Sequence, residues 1–332
     1  MPKVTVIIPA RPDEQEVPAA AAARRLDYPV EKLEVILARG KQPSVQRNLA
    51  LKAAQGEIIY FLDDDSIPQS DNLRRGAKHF ADSQVQVLGG PNLCPVDAPE
   101  LEQIFALVLS SWLAFGPSRA RYAKVGQTRR SGEKELILCN MMARRETLLR
   151  HGGFNEALYP NEENALMDLI QREGGQLIYD PDFVVRRRPR RTLGSFCRML
   201  QTYGRGRAEQ FRQTPTFGSV LNFVPPLFLV YVVSLPVAWL MKVPATLEWL
   251  RPWYSLLLLL YGIAVLMQVL ALMPAGGVIR GVCALPLIVL THLLYGYGFW
   301  RGLFTRFKPP GASPSVPVKL ETISLGGIRP SS

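Results

Sequence analysis

The segment with the clearest chemical potential is IIYFLDDDSIP, residues 58–68, where a run of buried-type side chains ends in three consecutive carboxylates. Asp63, Asp64 and Asp65 repel one another, and a structural turn needs only one or two such residues. A divalent cation bound by their oxygens would remove this repulsion. The triplet therefore favours a metal site. The alternative is an acidic loop that caps the next helix, because a serine and a proline follow closely.

A second acidic group, Glu162 and Glu163, lies in the segment PNEENALMDLI. Asn161 is a predicted N-cap, which places both glutamates in the first turn of a helix. The helix dipole stabilises carboxylates at that position, so the pair alone does not establish a catalytic role. The side of the helix predicted to face the core carries Leu166, Leu169 and Ile170.

Predicted strands and helices position these carboxylates. Segments rich in β-branched and aliphatic residues lie at 3–10, 33–38, 57–62, 85–90 and 135–140. Helical segments alternate with them, and we expect Ser44 and Ser70 to cap two of these helices and Gly56 to end the first. This alternation predicts an α/β fold with a mostly parallel, doubly wound sheet. In such sheets, ligands bind beyond the carboxyl ends of the strands, where the acidic triplet lies.

The hydrophobic residues, 48% of the chain, are unevenly distributed. Charged side chains are absent from three runs, each long enough to cross a bilayer: 213–241, 252–279 and 281–300. We therefore predict about three transmembrane segments, near 217–241, 253–274 and 281–300. The N-terminal apolar run is too short for a signal peptide, so the part of the chain before these segments is expected in the cytoplasm. Four dispersed cysteines fit a reducing compartment.

Much of the net charge of +11 lies just before the apolar segments. Between Phe183 and Ala208 there is no acidic residue, and the arginines are Arg186, Arg187, Arg188, Arg190, Arg191, Arg198, Arg205 and Arg207. Among them recur, at helical spacing, Phe196, Met199, Leu200 and Tyr203. This pattern favours an amphipathic segment at the membrane interface, residues 185–212. No nucleic-acid-binding motif accompanies the charge, and we expect no nucleic-acid partner.

Two shorter segments have less specific patterns. The apolar stretch Ile104–Phe115 is too short to span a bilayer, so we predict either a core helix or an interfacial helix. Residues 117–134 are basic and lack apolar periodicity, which predicts a mobile loop.

The segments VTVIIPA, QRNLALKAAQGEIIYFLDDDSIP, GGP, GGFNE, PNEENALMDLI and YDPDFVV follow one another within residues 3–210. Their order and spacing resemble the family 2 glycosyltransferases, in particular bacterial membrane-anchored members that build polysaccharides or lipid-linked glycans. The resemblance implies an A-type nucleotide-sugar-binding fold, inverting chemistry and a divalent metal, Mn²⁺ or Mg²⁺. The expected organisation is a cytoplasmic catalytic domain at 1–184, the interface segment at 185–212, a transmembrane region at 213–304 and a flexible tail at 305–332.

The resemblance also implies roles for the two acidic groups. Asp65, the last carboxylate of a DxD-type motif, is expected to bind the metal, with Asp63 as a second metal contact. Asp63 and Asp64 are expected near the ribose of the donor. Glu163 aligns with the catalytic base, an aspartate in many relatives, and Glu162 is the reserve candidate.

Positions that line the nucleotide pocket in relatives match Pro9, Ala10, Asp13, Arg47 and Asn48 of this chain. After the second strand, many relatives carry an aspartate that recognises uracil, but this chain reads ARGKQPS. Arg39 and Lys41 cannot accept the imino proton of uracil, so they are expected to bind phosphate, or the donor is not a uridine nucleotide. On the acceptor or lipid-phosphate side we expect Asn140, Arg190, Arg191 and Arg205.

The leading hypothesis is a multi-pass transferase of the bacterial cytoplasmic membrane that moves a sugar from a nucleotide-sugar donor to a lipid-linked or polysaccharide acceptor. The alternatives are a polyprenyl-phosphate sugar synthase and a non-catalytic membrane scaffold of the same fold. Three full spans would put the basic tail outside, against the positive-inside rule. The first apolar segment, which contains Pro225, Pro226 and Pro236, is therefore expected to be a broken or re-entrant helix.

Overall fold

The structure is a computed structural model that describes residues 1–158, 161–213, 215, 217–240, 250–306 and 316–325. The chain forms two compact units. The first comprises Met1–Pro95, Pro117–Arg188 and Lys308–Ser332, and the second comprises Val96–Gly116 and Pro189–Phe307.

The strands, in chain order, are β1 Val4–Ala10, β2 Leu33–Arg39, β3 Ile58–Leu62, β4 Ile67–Pro68, β5 Val85–Gly89, β6 Asn92–Leu93, β7 Arg129–Arg130, β8 Asn140–Arg144, β9 Gln176–Tyr179, β10 Val185–Arg186 and β11 Lys319–Thr322. The helices are α1 Pro18–Ala23, α2 Pro43–Ala53, α3 Asn72–His79, α4 Glu100–Leu109, α5 Trp112–Phe115, α6 Arg145–Arg150, α7 Glu162–Arg172, α8 Leu193–Gln213, α9 Val224–Leu240, α10 Leu250–Gly276 and α11 Val278–Phe304.

An 8-stranded mixed sheet, in the order β11-β2-β1-β3-β8-β5-β9-β7, forms the centre of the first unit. β1 pairs in parallel with β2 and β3, and β5 pairs in parallel with β9. β8 is antiparallel to both β3 and β5, so β2, β1, β3, β5 and β9 all run in one direction. The predicted fold class, with most strands parallel, is confirmed. A separate 3-stranded sheet has the order β4-β10-β6.

Both faces of the central sheet are covered, as predicted for a doubly wound fold. In β3, Tyr60 and Leu62 point into one buried cluster, whereas Ile59 and Phe61 point into another. Every residue of β3 is buried. Alternation along an extended strand sends neighbouring side chains to opposite faces, so a strand buried on both faces reads as a continuous apolar run.

The predicted strand at 135–140 is wrong, because the strand in this region is β8, Asn140–Arg144. Leu136 and Leu138 are buried although they lie outside any strand. Their alternation with other residues resembles a strand pattern, but they pack as loop residues against the core cluster that contains Phe61. Apolar alternation alone does not distinguish these two environments.

Three predicted features of helix ends differ from the structure. The N-cap residue of α2 is Gln42, not Ser44, and that of α3 is Asp71, not Ser70. α2 ends at Ala53, before Gly56. For α7 the N-cap position is Asn161, as predicted, although its side chain makes no capping hydrogen bond. Leu166 and Ile170 of α7 are buried as predicted, but Leu169 is 42% exposed.

The segment 117–134, predicted to be a mobile loop, contains a 3-10 helix at Gly116–Arg121 and the strand β7, which pairs with β9. Within the tail that is predicted to be flexible, Lys319–Thr322 form β11 and pair with β2. Residues 307–315 and 326–332 lie outside the described part of the chain.

The second unit is helical. Among the described residues, two helical segments, Pro252–Gly276 and Val278–Phe304, are long and apolar enough to cross a membrane, and Val220–Pro236 is a shorter apolar helical segment. The first predicted segment corresponds to α9, which has Pro236 inside it, and residues 241–249 lie outside the described part. The stretch Ile104–Phe115 forms most of α4 and all of α5, and Phe105 and Val108 are fully buried.

Candidate functional site

The acidic triplet follows β3 directly, at the carboxyl end of the parallel strands of the first unit. Asp63 and Asp64 are partly buried and Asp65 is exposed. Because β3 is buried along its whole length, its backbone fixes the position of Asp63. The three carboxylates therefore lie where a sheet of this type presents its ligand site.

Arg187 neutralises much of the triplet. Its Nη1 lies 3.0 Å from Asp63 Oδ2, and its Nε donates a hydrogen bond to Asp65 Oδ1. The short strand β10, which ends one residue before Arg187, pairs antiparallel with β4, which begins two residues after Asp65. This pairing brings the two segments together. From the sequence, Arg187 is predicted to lie in the membrane-interface segment. The only sequence feature that indicates a strand there is the preceding apolar segment FVV, residues 183–185.

Arg47 on α2 links the triplet to the glutamate pair. Its Nη2 lies 2.7 Å from Asp63 Oδ1, and its Nη1 lies 3.4 Å from Glu162 Oε1. Ser44, also on α2, donates a hydrogen bond of 3.0 Å to the same Glu162 oxygen. Arg47 and Glu162 are 5% and 2% exposed, so this bridge is inside the protein. It fixes the start of α7 relative to the end of β3.

Glu162 is therefore an anchored carboxylate. Burial raises its pKa, and the nearby Arg47 guanidinium opposes that rise. Its second oxygen, Oε2, is buried and has no hydrogen-bond partner. The contacts of Glu162 Oε1 with Arg47 and Ser44 are suited to holding the start of α7 in place.

Glu163 has a different environment. Its side chain is partly exposed, and burial together with the neighbouring Glu162 charge raises its pKa to about 7, against the opposing charge of Arg121. Asn164 Nδ2 approaches Glu163 Oε1 at 3.4 Å. A carboxylate with a pKa near neutrality is poised to accept a proton, whereas one with an ordinary pKa is a weak base. Of the two glutamates, Glu163 has the better chemistry for a general base.

The triplet keeps an excess of negative charge despite Arg187. The pKa of Asp64 is raised to about 6, first by burial and then by the charges of Asp65, Glu14 and Asp63. Asp63 and Asp65 already share one cation, the Arg187 guanidinium, so their oxygens converge on a common point. Within the described ranges, no group of three or more His, Cys, Asp and Glu side chains forms a complete metal site. The residues fit an ion that one or two carboxylates bind together with substrate phosphates, as is common for Mg²⁺.

Three of the residues predicted to line a nucleotide pocket lie at the end of β1 or shortly after it. Pro9 and Ala10 are buried at the end of β1, and Asp13 is exposed in the loop that follows. Arg39, at the end of β2, forms an ion pair of 3.1 Å with Glu321 of β11, and its Nη1 donates to the carbonyl oxygen of Glu14 at 2.5 Å. Arg39 therefore supports the loop after β1 through its hydrogen bond to the Glu14 carbonyl oxygen.

Asn48 and Asn140 have structural contacts. Asn48 exchanges two hydrogen bonds of 2.8 Å with the backbone of Phe154. Asn140 is fully buried, accepts a hydrogen bond of 2.9 Å from the Tyr60 hydroxyl and donates one of 2.6 Å to the Phe183 carbonyl oxygen. The predicted acceptor contact at Asn140 is wrong, because its side chain is not accessible to a ligand.

Three of the remaining predicted residues lie in the second unit. Arg190 and Arg191 are exposed just before α8, and Arg205 on α8 forms an ion pair of 3.4 Å with Glu209. Lys41, in the first unit, is exposed after β2.

Comparisons with known proteins find one matching family model and solved structures to which this chain is similar. The family model described as glycosyl transferase family group 2 matches residues 58–299. The solved mannosyltransferase PcManGT from Pyrobaculum calidifontis, in complex with GDP-Man and Mn²⁺, has a TM-score of 0.56 at 19% identity, over 91% of this chain and 87% of that chain. S. aureus TarS 1-349 has a TM-score of 0.44 at 13% identity, over 95% of this chain and 99% of that chain. No curated protein sequence matches the chain.

Proposed function

Because the chain belongs to the glycosyl transferase family group 2, we propose that it transfers a sugar from a nucleotide-sugar donor to an acceptor hydroxyl, with inversion at the anomeric carbon. One observation carries the proposal. The buried Arg47 joins the acidic triplet after β3 to the first turn of α7, so the carboxylates proposed to bind the donor and Glu163, the proposed base with its raised pKa, are held in one rigid arrangement.

The acidic triplet is the proposed donor-phosphate end of the site. Asp65, with Asp63, would hold a divalent ion, Mn²⁺ or Mg²⁺, and Asp64 would lie toward the ribose. When bound, such an ion offsets the negative charge of the departing nucleoside diphosphate. The mannosyltransferase of the same fold, solved with GDP-Man and Mn²⁺, is consistent with this assignment.

Glu163 is the proposed general base. In its ionised form it accepts the proton of the acceptor hydroxyl as the hydroxyl oxygen forms its bond to the anomeric carbon, from the face opposite the leaving group. The bond between that carbon and the diphosphate oxygen breaks in the same step. Glu162 is less suited to this role, because its Oε1 is bound by Arg47 and Ser44 and its Oε2 is buried.

We assign the acceptor to the lipid-linked or growing-polysaccharide class, with the catalytic unit on the cytoplasmic face of a bacterial membrane. The support is the apolar second unit, with two helical segments long enough to enter a bilayer. A polyprenyl-phosphate sugar synthase belongs to the same chemical class, since its acceptor is also a membrane lipid. The exposed Arg190 and Arg191, before α8, are suited to the phosphate groups of such an acceptor.

The test of the donor class is thermal stabilisation of the detergent-purified protein by nucleoside diphosphates and nucleotide-sugars, each with and without Mn²⁺ or Mg²⁺. A ligand that binds the folded state raises the midpoint of unfolding by mass action. We expect a metal-dependent rise with one nucleotide class. No rise with any donor, in protein shown to be folded, would favour the scaffold alternative.

A further inference from the structure

The carboxylate of Glu163 has two neighbours to which the proposed function gives no role, Arg121 and Asn164. Both lie in the first unit. Asn164 follows Glu163 on α7 and is 2% exposed, and Arg121 is the last residue of the 3-10 helix Gly116–Arg121. Arg121 lies 43 residues before Asn164 in the sequence, so tertiary packing must bring the two together.

The hydrophobic core places Arg121 beside the start of α7. Ala120, which precedes Arg121, is fully buried in the same cluster as Leu166 and Met167 of α7. The backbone just before Arg121 is therefore held by the core. The Arg121 side chain extends from this fixed position to the first turn of α7.

Arg121 fixes the orientation of the Asn164 amide. Its Nη2 donates a hydrogen bond to Asn164 Oδ1 and another, of 2.5 Å, to the Glu133 carbonyl oxygen. A guanidinium has donors and no acceptor, so the amide atom that faces it must be the oxygen. The amide nitrogen of Asn164 is then directed toward other partners.

Those partners are two side chains at the start of α7. Asn164 Nδ2 donates to Asn161 Oδ1 at 2.5 Å and approaches Glu163 Oε1 at 3.4 Å. Asn161 is 5% exposed, so this amide pair is buried. Because the Asn164 amide is bonded at both its oxygen and its nitrogen, a donor stays beside Glu163 Oε1. Such a donor favours the ionised form of a carboxylate.

Three charged groups from different elements also act on Glu163. Burial raises the pKa of Glu163 to about 7, and the charge of the adjacent Glu162 adds to that rise. The charges of Arg121 and, on α2, Arg47 oppose it. Of the two arginines, Arg121 has the larger effect, and it is also the one that bonds to Asn164.

We propose that Arg121 and Asn164 are positioning residues for Glu163: Arg121 sets the orientation of the Asn164 amide, and the amide holds Oε1 of the carboxylate. Oε2 is then the oxygen that receives the proton of the acceptor hydroxyl. The inference rests on the proposed role of Glu163 as the base, but its contacts can be tested without an acceptor.

The test is the pH dependence of thermal unfolding of the full-length, detergent-purified protein, from about pH 4 to about pH 9. In each background, Glu163→Gln is compared with its parent. A carboxyl with a raised pKa stabilises the fold at low pH, so Glu163→Gln becomes more stable than its parent as the pH rises. This difference levels off at the pKa of Glu163 in the folded state, which is near pH 7 in the wild type.

In Arg121→Met the levelling pH should move upward by about one unit, because an opposing cation is lost. In Asn164→Ala it should move upward by about half a unit, because the ionised carboxylate loses a donor. Arg121→Lys keeps the positive charge and should stay close to the wild-type value. Arg130→Met removes the same charge at an exposed position of β7 and is the control.

An unchanged levelling pH in Arg121→Met or in Asn164→Ala would overturn the proposal, and so would an equal shift in Arg130→Met. If Arg121→Met does not fold, Arg121→Gln, which loses the charge but keeps an N–H donor, should give the upward shift instead. Full turnover by Glu163→Gln would refute the base assignment and leave these shifts unaffected. Failure of the positioning contacts and failure of the proposed function are therefore distinguishable.

Discussion

At the residue scale, two arginines hold the carboxylates of the site, and they differ in accessibility. The Arg47 side chain is 6% exposed and bridges Asp63 to Glu162, so it acts as a fixed part of the scaffold. The Arg187 side chain is 24% exposed and binds the outer carboxylates, Asp63 and Asp65. An accessible guanidinium on the solvent side can be displaced by a ligand without disturbing the core. The two arginines therefore predict different results on substitution.

Asp65→Ala is expected to abolish metal-dependent donor binding, because it removes the most accessible carboxylate of the triplet. Isothermal titration of the nucleotide identified by the thermal screen, in the presence of Mn²⁺, measures the loss, and at least a hundredfold weaker binding is expected. Asp97→Ala removes the same charge at an exposed position of the second unit and serves as the control. Donor affinity equal to that of the wild type in Asp65→Ala would refute the metal assignment.

Arg187→Gln is expected to tighten the binding of Mn²⁺ to the protein without donor, because it removes a cation that competes for Asp63 and Asp65. The expected gain is about tenfold, or roughly 1.4 kcal/mol. Arg186→Gln, at the exposed neighbouring position, carries the same charge change and should leave the affinity unchanged. Electron paramagnetic resonance of free Mn²⁺ measures both without turnover. Weaker binding in Arg187→Gln would instead show that Arg187 supports the ion site.

Glu163→Gln is expected to retain donor binding and to lower kcat at least a thousandfold. The base must be ionised, so wild-type kcat/KM should fall about tenfold per pH unit below the Glu163 pKa of about 7. The exposed Glu146→Gln is the control. Full turnover by Glu163→Gln would move the base to another residue.

The same pKa predicts an effect on stability. A carboxyl whose pKa is higher in the folded state stabilises the fold at low pH, and this contribution is lost as the pH rises through the folded-state value. Thermal unfolding should therefore show Glu163→Gln to be more stable than the wild type above pH 7, by roughly 2 kcal/mol, and nearly equal to it at pH 4.

At the element scale, the strands that are buried on both faces can be predicted from the sequence. The role of a residue whose bonding partner is distant in sequence cannot be predicted in this way. The predicted bounds of β1, β2, β3 and β5 lie within about a residue of the observed ends, because a short, continuous apolar run is typical of a strand buried on both faces. Ser44 is predicted to be a cap, but its hydroxyl bonds to Glu162, which is 118 residues away. The partner of Arg187 is equally remote, since Asp65 lies 122 residues before it.

Gly56 has a packing role that the sequence does not reveal. The sequence predicts a helix end, but an added Cβ there would lie 2.7 Å from Thr5 Oγ1 and 2.8 Å from the carbonyl carbon of Val4. The backbone of β1 cannot move away without disturbing its pairing with β2 and β3. Gly56→Ala should therefore lower the free energy of unfolding by about 2 kcal/mol. Gly262→Ala on α10, where an added Cβ meets nothing within 4 Å, should cause little change in the same denaturation experiment.

At the scale of the whole molecule, β11 constrains how the chain can cross a membrane. The chain leaves the first unit at Arg188, passes through the helices of the second unit, and returns as Lys319–Thr322 to pair antiparallel with β2. A chain that starts and ends on one side crosses a bilayer an even number of times. Three full spans are therefore incompatible with this pairing.

This constraint predicts that Lys319→Cys, whose native side chain is 75% exposed, reacts with a membrane-impermeant maleimide from the same side of sealed vesicles as Lys41→Cys, a cysteine at the exposed position after β2.

A second experiment tests the pairing of β11 with β2 itself. Glu321→Ala removes the partner of Arg39, which supports the carbonyl of Glu14, so the loop after β1 should loosen and the KM for the donor should rise several-fold. The ion pair is partly exposed, and its loss should cost at most about 1 kcal/mol of stability. Labelling of Lys319→Cys from the opposite side would exclude the β2–β11 pairing, and the proposed support of the donor loop would then be lost with it.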